Sequence, residues 1–193
     1  MPPDVHEIVK TSLLKEQGYI CCYTGIRITS ERAHIEHLLP QNQCSAGEDV
    51  AYDNLCAAFP QPNVPQYPFG AHAKGGWYDP RIFISPLDAA CEQAYIYNLE
   101  GEITHNQRWP NGAVMIEKLQ LKDGQLNDLR KAKIDEWLFP EDEDLSETKA
   151  TQLLARLAQR DQQGYWMAFC FVLQQACREY IRRKRLRPSP LTT

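Results

Sequence analysis

The sequence predicts an α+β fold, on three observations. Apolar residues recur at helical spacing near both ends of the chain. Between them lie short runs rich in β-branched and aromatic residues, each bounded by turn residues. Residues 41–80 carry little periodicity and are punctuated by Pro60, Pro62, Pro65, Pro68 and several glycines. A long irregular stretch inside a compact domain is often a functional one.

The elements follow in order. Residues 4–17 read as a helix, with Asp4 as cap, Glu7 in the capping-box position, Val5, Ile8, Val9 and Leu13 as apolar stripe, and Gly18 as terminator. Residues 19–28 read as extended chain around a Thr24-Gly25 turn, and 33–38 as a short strand stopped by Pro40. Residues 52–58 read as a short helical turn. Residues 94–105 read as a hairpin turning at Glu100-Gly101, with Tyr95, Tyr97, Leu99 and Ile103 along its arms. Residues 111–119 and 125–138 read as helices separated by Lys122-Asp123-Gly124. Asp144, with Glu147 three residues on, is placed to cap a helical region over 148–187 that Gly164 divides.

Composition narrows the function classes. Hydrophobic residues form 43% of the 193, enough for a real core. No apolar run is long enough to span a bilayer. The N-terminus lacks the basic and apolar regions of a signal peptide, so a cytoplasmic location is expected. Seven irregularly spaced cysteines give no disulfide framework. A net charge of −4 is unlike a protein that grips nucleic acid unaided, because phosphate neutralisation supplies most of that affinity. Positive charge concentrates in Arg178, Arg182, Arg183, Lys184, Arg185 and Arg187, and acid in Glu141-Asp142-Glu143-Asp144. A partner is therefore expected to help hold any polyanionic substrate.

The chemistry-bearing residues fall between Cys21 and Gly76. Three of the five histidines are there: His34 and His37 in His34-Ile35-Glu36-His37-Leu38-Leu39-Pro40, and His72 in His72-Ala73-Lys74-Gly75. Tyr52-Asp53-Asn54-Leu55 lies between the two segments. An imidazole suits the deprotonation of water near neutral pH, and a divalent cation suits the charge that develops on a leaving oxygen. The chemistry this suggests is phosphodiester hydrolysis. On a strand His34 and Glu36 share one face and His37 takes the other, so Glu36 and His37 serve one site only where the strand ends or twists.

These segments resemble the HNH endonuclease family, which has the ββα-metal fold. They are most similar to the HNH nuclease subunit (PtuB) of Septu-type and retron-associated anti-phage defence systems. Ile84-Ser85-Pro86-Leu87-Asp88, the 97–103 hairpin and Leu119-Gln120-Leu121 extend the likeness over about two-thirds of the chain. The resemblance implies a ββα-metal core with an added hairpin and C-terminal helices. It implies His37 as general base, Asn54 orienting it, and Glu36 and His72 as ligands of Mg²⁺ or Mn²⁺. His34 and Lys74 become candidate substrate or phosphate contacts, His34 also a candidate metal contact. It also implies an ATPase partner (PtuA-like) and a nucleic acid substrate, DNA favoured, with no membrane.

The chain departs from the family at the structural zinc. Cys21 occupies the first thiol place, but Thr24, Phe59 and Gly70 stand where the others belong. One thiolate cannot hold a zinc that needs four ligands. No structural zinc is expected, and packing by Tyr23, Phe59 and Phe69 is expected in its stead. Loss of those ligands also admits a catalytically inactive assembly subunit, and the same site would serve RNA such as tRNA. The division expected is 1–110 as nuclease core, 111–187 as a helical, partner-docking region and 188–193 as a disordered tail. His6 and His105 read as surface residues, Asp79 and Asp88 as turn residues, and Cys91 as a small core residue. Trp166, Phe169 and Phe171 read as core or as docking surface with near-equal weight. Residues 182–187 read as a solvated helix end or as phosphate contacts.

Overall fold

The computed structural model describes residues 2–61, 64, 66–140 and 145–186. Among them are helices α1 (Pro3–Glu16), α2 (Ala71–Lys74), α3 (Asn111–Lys118), α4 (Gly124–Leu138), α5 (Glu147–Leu157) and α6 (Cys170–Leu186), and strands β1 (His34–His37), β2 (Leu55–Ala58), β3 (Tyr95–Tyr97) and β4 (Ile103–His105). The strands form two antiparallel pairs, β1 with β2 and β3 with β4. The fold is α+β, as the sequence predicts. No helix among the described residues is long and apolar enough to cross a membrane. The expected cap at Asp144 and the tail from 188 lie outside the described residues.

Each element departs from or meets its expectation for a local reason. In α1 Pro3, whose ring presets a helical φ, opens the first turn, so Pro2 precedes the helix and Asp4 sits inside it without a capping bond. The expected stripe is half right: Leu13 is buried and Val9 packs against the core, while Val5 and Ile8 are exposed. The 52–58 expectation fails in its second half. Tyr52–Asn54 is a 3₁₀ turn, but Leu55–Ala58 is strand β2, with all four residues buried. Two partners hold it extended. β1 pairs along one edge, with Glu36 opposite Cys56 and His37 opposite Leu55. On the other, the Gln17 amide accepts from Ala57 N at 2.6 Å and donates to Ala57 O at 2.8 Å. A side-chain amide thus completes a ladder that no sequence pattern announces.

The hairpin forms where expected, with Tyr95 opposite His105 and Tyr97 opposite Ile103. Its turn needs glycine: Gly101 has φ +76°, and a Cβ there would lie 2.8 Å from Lys131 N. Beneath it Arg130, 1% exposed, donates to Gly101 O and Leu121 O, which seals the hairpin to α4. In the C-terminal region Ser146 caps α5 by accepting from Lys149 N. The break that Gly164 predicts is real but wider, since residues 158–169 are non-helical. Asp161 holds that segment by accepting from Gln163 N and Tyr165 N.

One core cluster runs from Leu13 to Ile181. Phe169 is 4% exposed, and Trp166 and Phe171 pack against the same cluster. Trp166 N donates to Gly18 O, Phe169 N to Gly25 O, and the Gln175 amide bonds Tyr95 O and Tyr97 N. The aromatic residues of 166–171 are therefore core, joining α6 to the Cys21–Ile26 turn and to β3.

Candidate active site

The site is assembled by β1, β2 and the one-turn helix α2. β1 runs His34 to His37; Glu36 is its buried residue, 9% exposed, and His34 and His37 are half-buried. α2 delivers Lys74 beneath the strand, with the whole residue only 2% exposed. The Lys74 ammonium sits 2.9 Å from Glu36 Oε1 and donates to His37 O at 2.8 Å. Tyr23 OH donates to the same Glu36 oxygen at 3.2 Å. One buried cation therefore neutralises the carboxylate and pins the backbone of the neighbouring histidine. Burial alone would push the Glu36 carboxyl up; hydrogen bonding from His34 and the charge of Lys74 outweigh it and hold it below its ordinary range.

This shift has a stability consequence. A carboxyl lowered in the folded state contributes stability that is fully present above its unfolded pKa, about 4.3, and is lost as pH falls through the folded value. Glu36→Gln is expected to be less stable than the parent at pH 7, with the gap closing towards pH 3. Urea denaturation at both pH values checks this, and a gap independent of pH would refute it.

His37 projects the other way. Its ring Nε2 lies 2.9 Å from Asp49 O. A carbonyl oxygen only accepts, so Nε2 carries the proton and the neutral ring keeps its lone pair on Nδ1. Asn54 does not bond this ring. Its Oδ1 accepts from Leu39 N at 2.7 Å, and its Nδ2 donates to Leu39 O and to Glu48 O. Asn54 thus ties the chain after His37 to the 3₁₀ turn Glu48–Val50, whose Asp49 carbonyl fixes the ring. Its influence on His37 runs through that loop, a correction to the direct bond expected.

Two other expectations change. Lys74 is not a surface contact for phosphate: its charge is buried against Glu36. His72, the expected metal ligand, has Nε2 on Gln61 O at 3.1 Å, and no hydrogen bond or ion pair joins it to Glu36. His34 comes closer. Its Nδ1 donates to Pro60 O and its Nε2 lies 3.5 Å from Glu36 Oε2. With a proton on Nε2 the ring donates to the carboxylate; without one, two electron-pair donors face each other and a cation between them would balance the pair. Two cis ligands of a hard octahedral ion at about 2.1 Å stand ~3 Å apart. Glu36 and His34, 3.5 Å apart, stand somewhat wider than such a pair and offer two of the donors an ion needs; among the described residues no hydrogen bond or ion pair brings His72 to them. No group of three or more His, Cys, Asp or Glu among the described residues can hold a metal by itself. The signal for His34 was legible, since its spacing from Glu36 puts both on one face of β1.

Around Phe59 the packing is aromatic. Phe59 and Phe69 are 3% and 0% exposed, and Tyr67 packs edge-on to both. Cys21 accepts from Phe59 N at 3.3 Å. Burial raises this thiol, but hydrogen bonds from Cys22, Thr24 and the backbone of Phe59 lower it to about 6. Asp79 and Asp88 cap local turns, accepting from Arg81 N and Ala90 N, as their positions predict. Among known proteins, no family model and no curated relative matches the chain.

Proposed function

We propose that this chain is an HNH-type endonuclease that hydrolyses phosphodiester bonds, with His37 as general base. The observation that carries the reading is the His37 ring: its tautomer is set by Asp49 O, its backbone is fixed by Lys74, and its free Nδ1 can take a proton from water. The antiparallel β1–β2 pair followed by α2 has the order of elements expected of a ββα-metal core, which supports this reading. Glu36 and His34 would hold a divalent ion, which when bound neutralises charge on the leaving oxygen. Residues Asn54 and Lys74 orient the base from either side. His72 acts as a ligand only if its ring leaves Gln61 O.

By the resemblance, the nuclease works as effector subunit beside an ATPase (PtuA-like), in the cytoplasm, in defence against phage. The net charge of −4 supports a partner that supplies part of the basic groove. One observation favours a second reading, an inactive assembly subunit: Lys74 already neutralises Glu36. The deciding experiment incubates the chain, alone and with any ATPase encoded beside its gene, with DNA and with RNA in Mg²⁺ or Mn²⁺. Cleavage that is lost in His37→Ala supports the nuclease. No cleavage of either polymer in any combination supports the assembly subunit.

A further inference from the structure

A second charged feature lies away from β1. The end of α5, the non-helical segment 158–169 and one face of α4 enclose a cleft of about 500 Å³, within the roughly 300–1,000 Å³ typical of small-molecule sites. Its walls carry four cations, Arg27, Lys133, Arg156 and Arg160, against two carboxylates, Glu136 and Asp161. The local excess of positive charge runs opposite to the chain's −4.

The cations are ordered on aromatic rings. Arg156 lies over Trp137 at 5.2 Å, Arg160 over Trp166 at 5.6 Å and Arg27 over Tyr165 at 5.1 Å. Arg27 and Arg160 spend their donors on backbone carbonyls: Arg27 on Gly18, Tyr19 and Trp166, Arg160 on Lys15 and Glu16. Carbonyls are neutral, so these contacts fix the guanidiniums without cancelling their charge. Glu136 is taken by Lys133, and Asp161 caps its own loop while facing Arg27. Arg156 is exposed, and its guanidinium makes no hydrogen bond or ion pair among the described residues. A cleft with uncompensated guanidiniums beside indole faces suits a ligand that joins an anion to a flat ring.

We propose that this cleft binds a nucleotide unit, its phosphate on Arg156 and its base against the Trp137–Trp166 side, presented free or within a single strand. In the nuclease reading it would be an anchor for the strand outside the reacting site, but the cleft stands on its own geometry. The test titrates the full chain with a thymidine 5′-phosphate and with a thymidine homopolymer, following tryptophan emission. Quenching that weakens with salt is expected, and in Trp137→Phe much of the quench is lost. Arg156→Glu, at an exposed position, is expected to weaken binding roughly tenfold or more with thermal unfolding unchanged. Binding of the mononucleotide assigns a free nucleotide, and binding of the polymer alone assigns a strand; either supports the site. Absence of quenching by both probes, or equal binding by Arg156→Glu, overturns it. His37→Ala is expected to bind as the parent does, so loss of cleavage and loss of the cleft are read separately.

Discussion

His37→Ala is expected to reduce phosphodiester cleavage by about 10²- to 10⁴-fold, the usual contribution of a positioned general base. The size follows from the geometry. Alanine removes an imidazole whose tautomer leaves Nδ1 free to accept a proton, and no other described residue bonds Asp49 O to replace it. The fold should survive, because the ring is half-buried and makes one hydrogen bond, worth about 1 kcal/mol. Circular dichroism and thermal unfolding should therefore match the parent while cleavage is lost. Asn54→Ala should lower the same rate less steeply, since Asn54 acts through Leu39 and Glu48. A His37→Ala protein that cleaves within a few-fold of the parent would assign the base elsewhere.

Lys74→Met is expected to give the largest loss of stability. The substitution keeps the length of the stem and removes the ammonium. Glu36, with a side chain 11% exposed, is left with Tyr23 and His34 only, and His37 O loses its donor. Breaking a buried pair by removing one partner costs about 3–5 kcal/mol, because an uncompensated charge remains. In a chain of this size that corresponds to a fall in Tm on the order of 10 °C. The double variant Lys74→Met/Glu36→Gln should recover much of the loss, since the orphaned charge is then gone. Equal melting of parent and single variant would mean that the carboxylate finds solvent or another partner.

Much of the fold was legible in local chemistry. Glu100-Gly101 marked a turn that only a residue tolerant of positive φ can make, and the helical periods over 111–119 and 125–138 marked α3 and α4 to within a residue of each end. The strand expected over 33–38, stopped by Pro40, forms over His34–His37. Less legible was β2. Cys56, Ala57 and Ala58 have no strong strand propensity, and what holds them extended is β1 on one side and the Gln17 amide, forty residues away, on the other. Val5 and Ile8 failed for the same kind of reason: periodicity says which face of α1 is apolar, and the position of β2 decides how much of that face is covered.

By itself the sequence determined which groups exist near the candidate site and on which face of the strand each lies. His34 and Glu36 share a face of β1, and His37 takes the other, because side chains alternate with period two. Their partners were decided only by tertiary structure. Lys74 reads in sequence as an exposed cation for phosphate, yet α2 carries it under β1, where a buried carboxylate outcompetes solvent for it. Asn54 reads as a partner for the His37 ring, yet the loop between β1 and β2 brings Leu39 and Glu48 to it first, and Asp49 to the histidine. Such pairings are set by which backbone passes near which side chain once the core has closed, and local sequence carries no record of that distance.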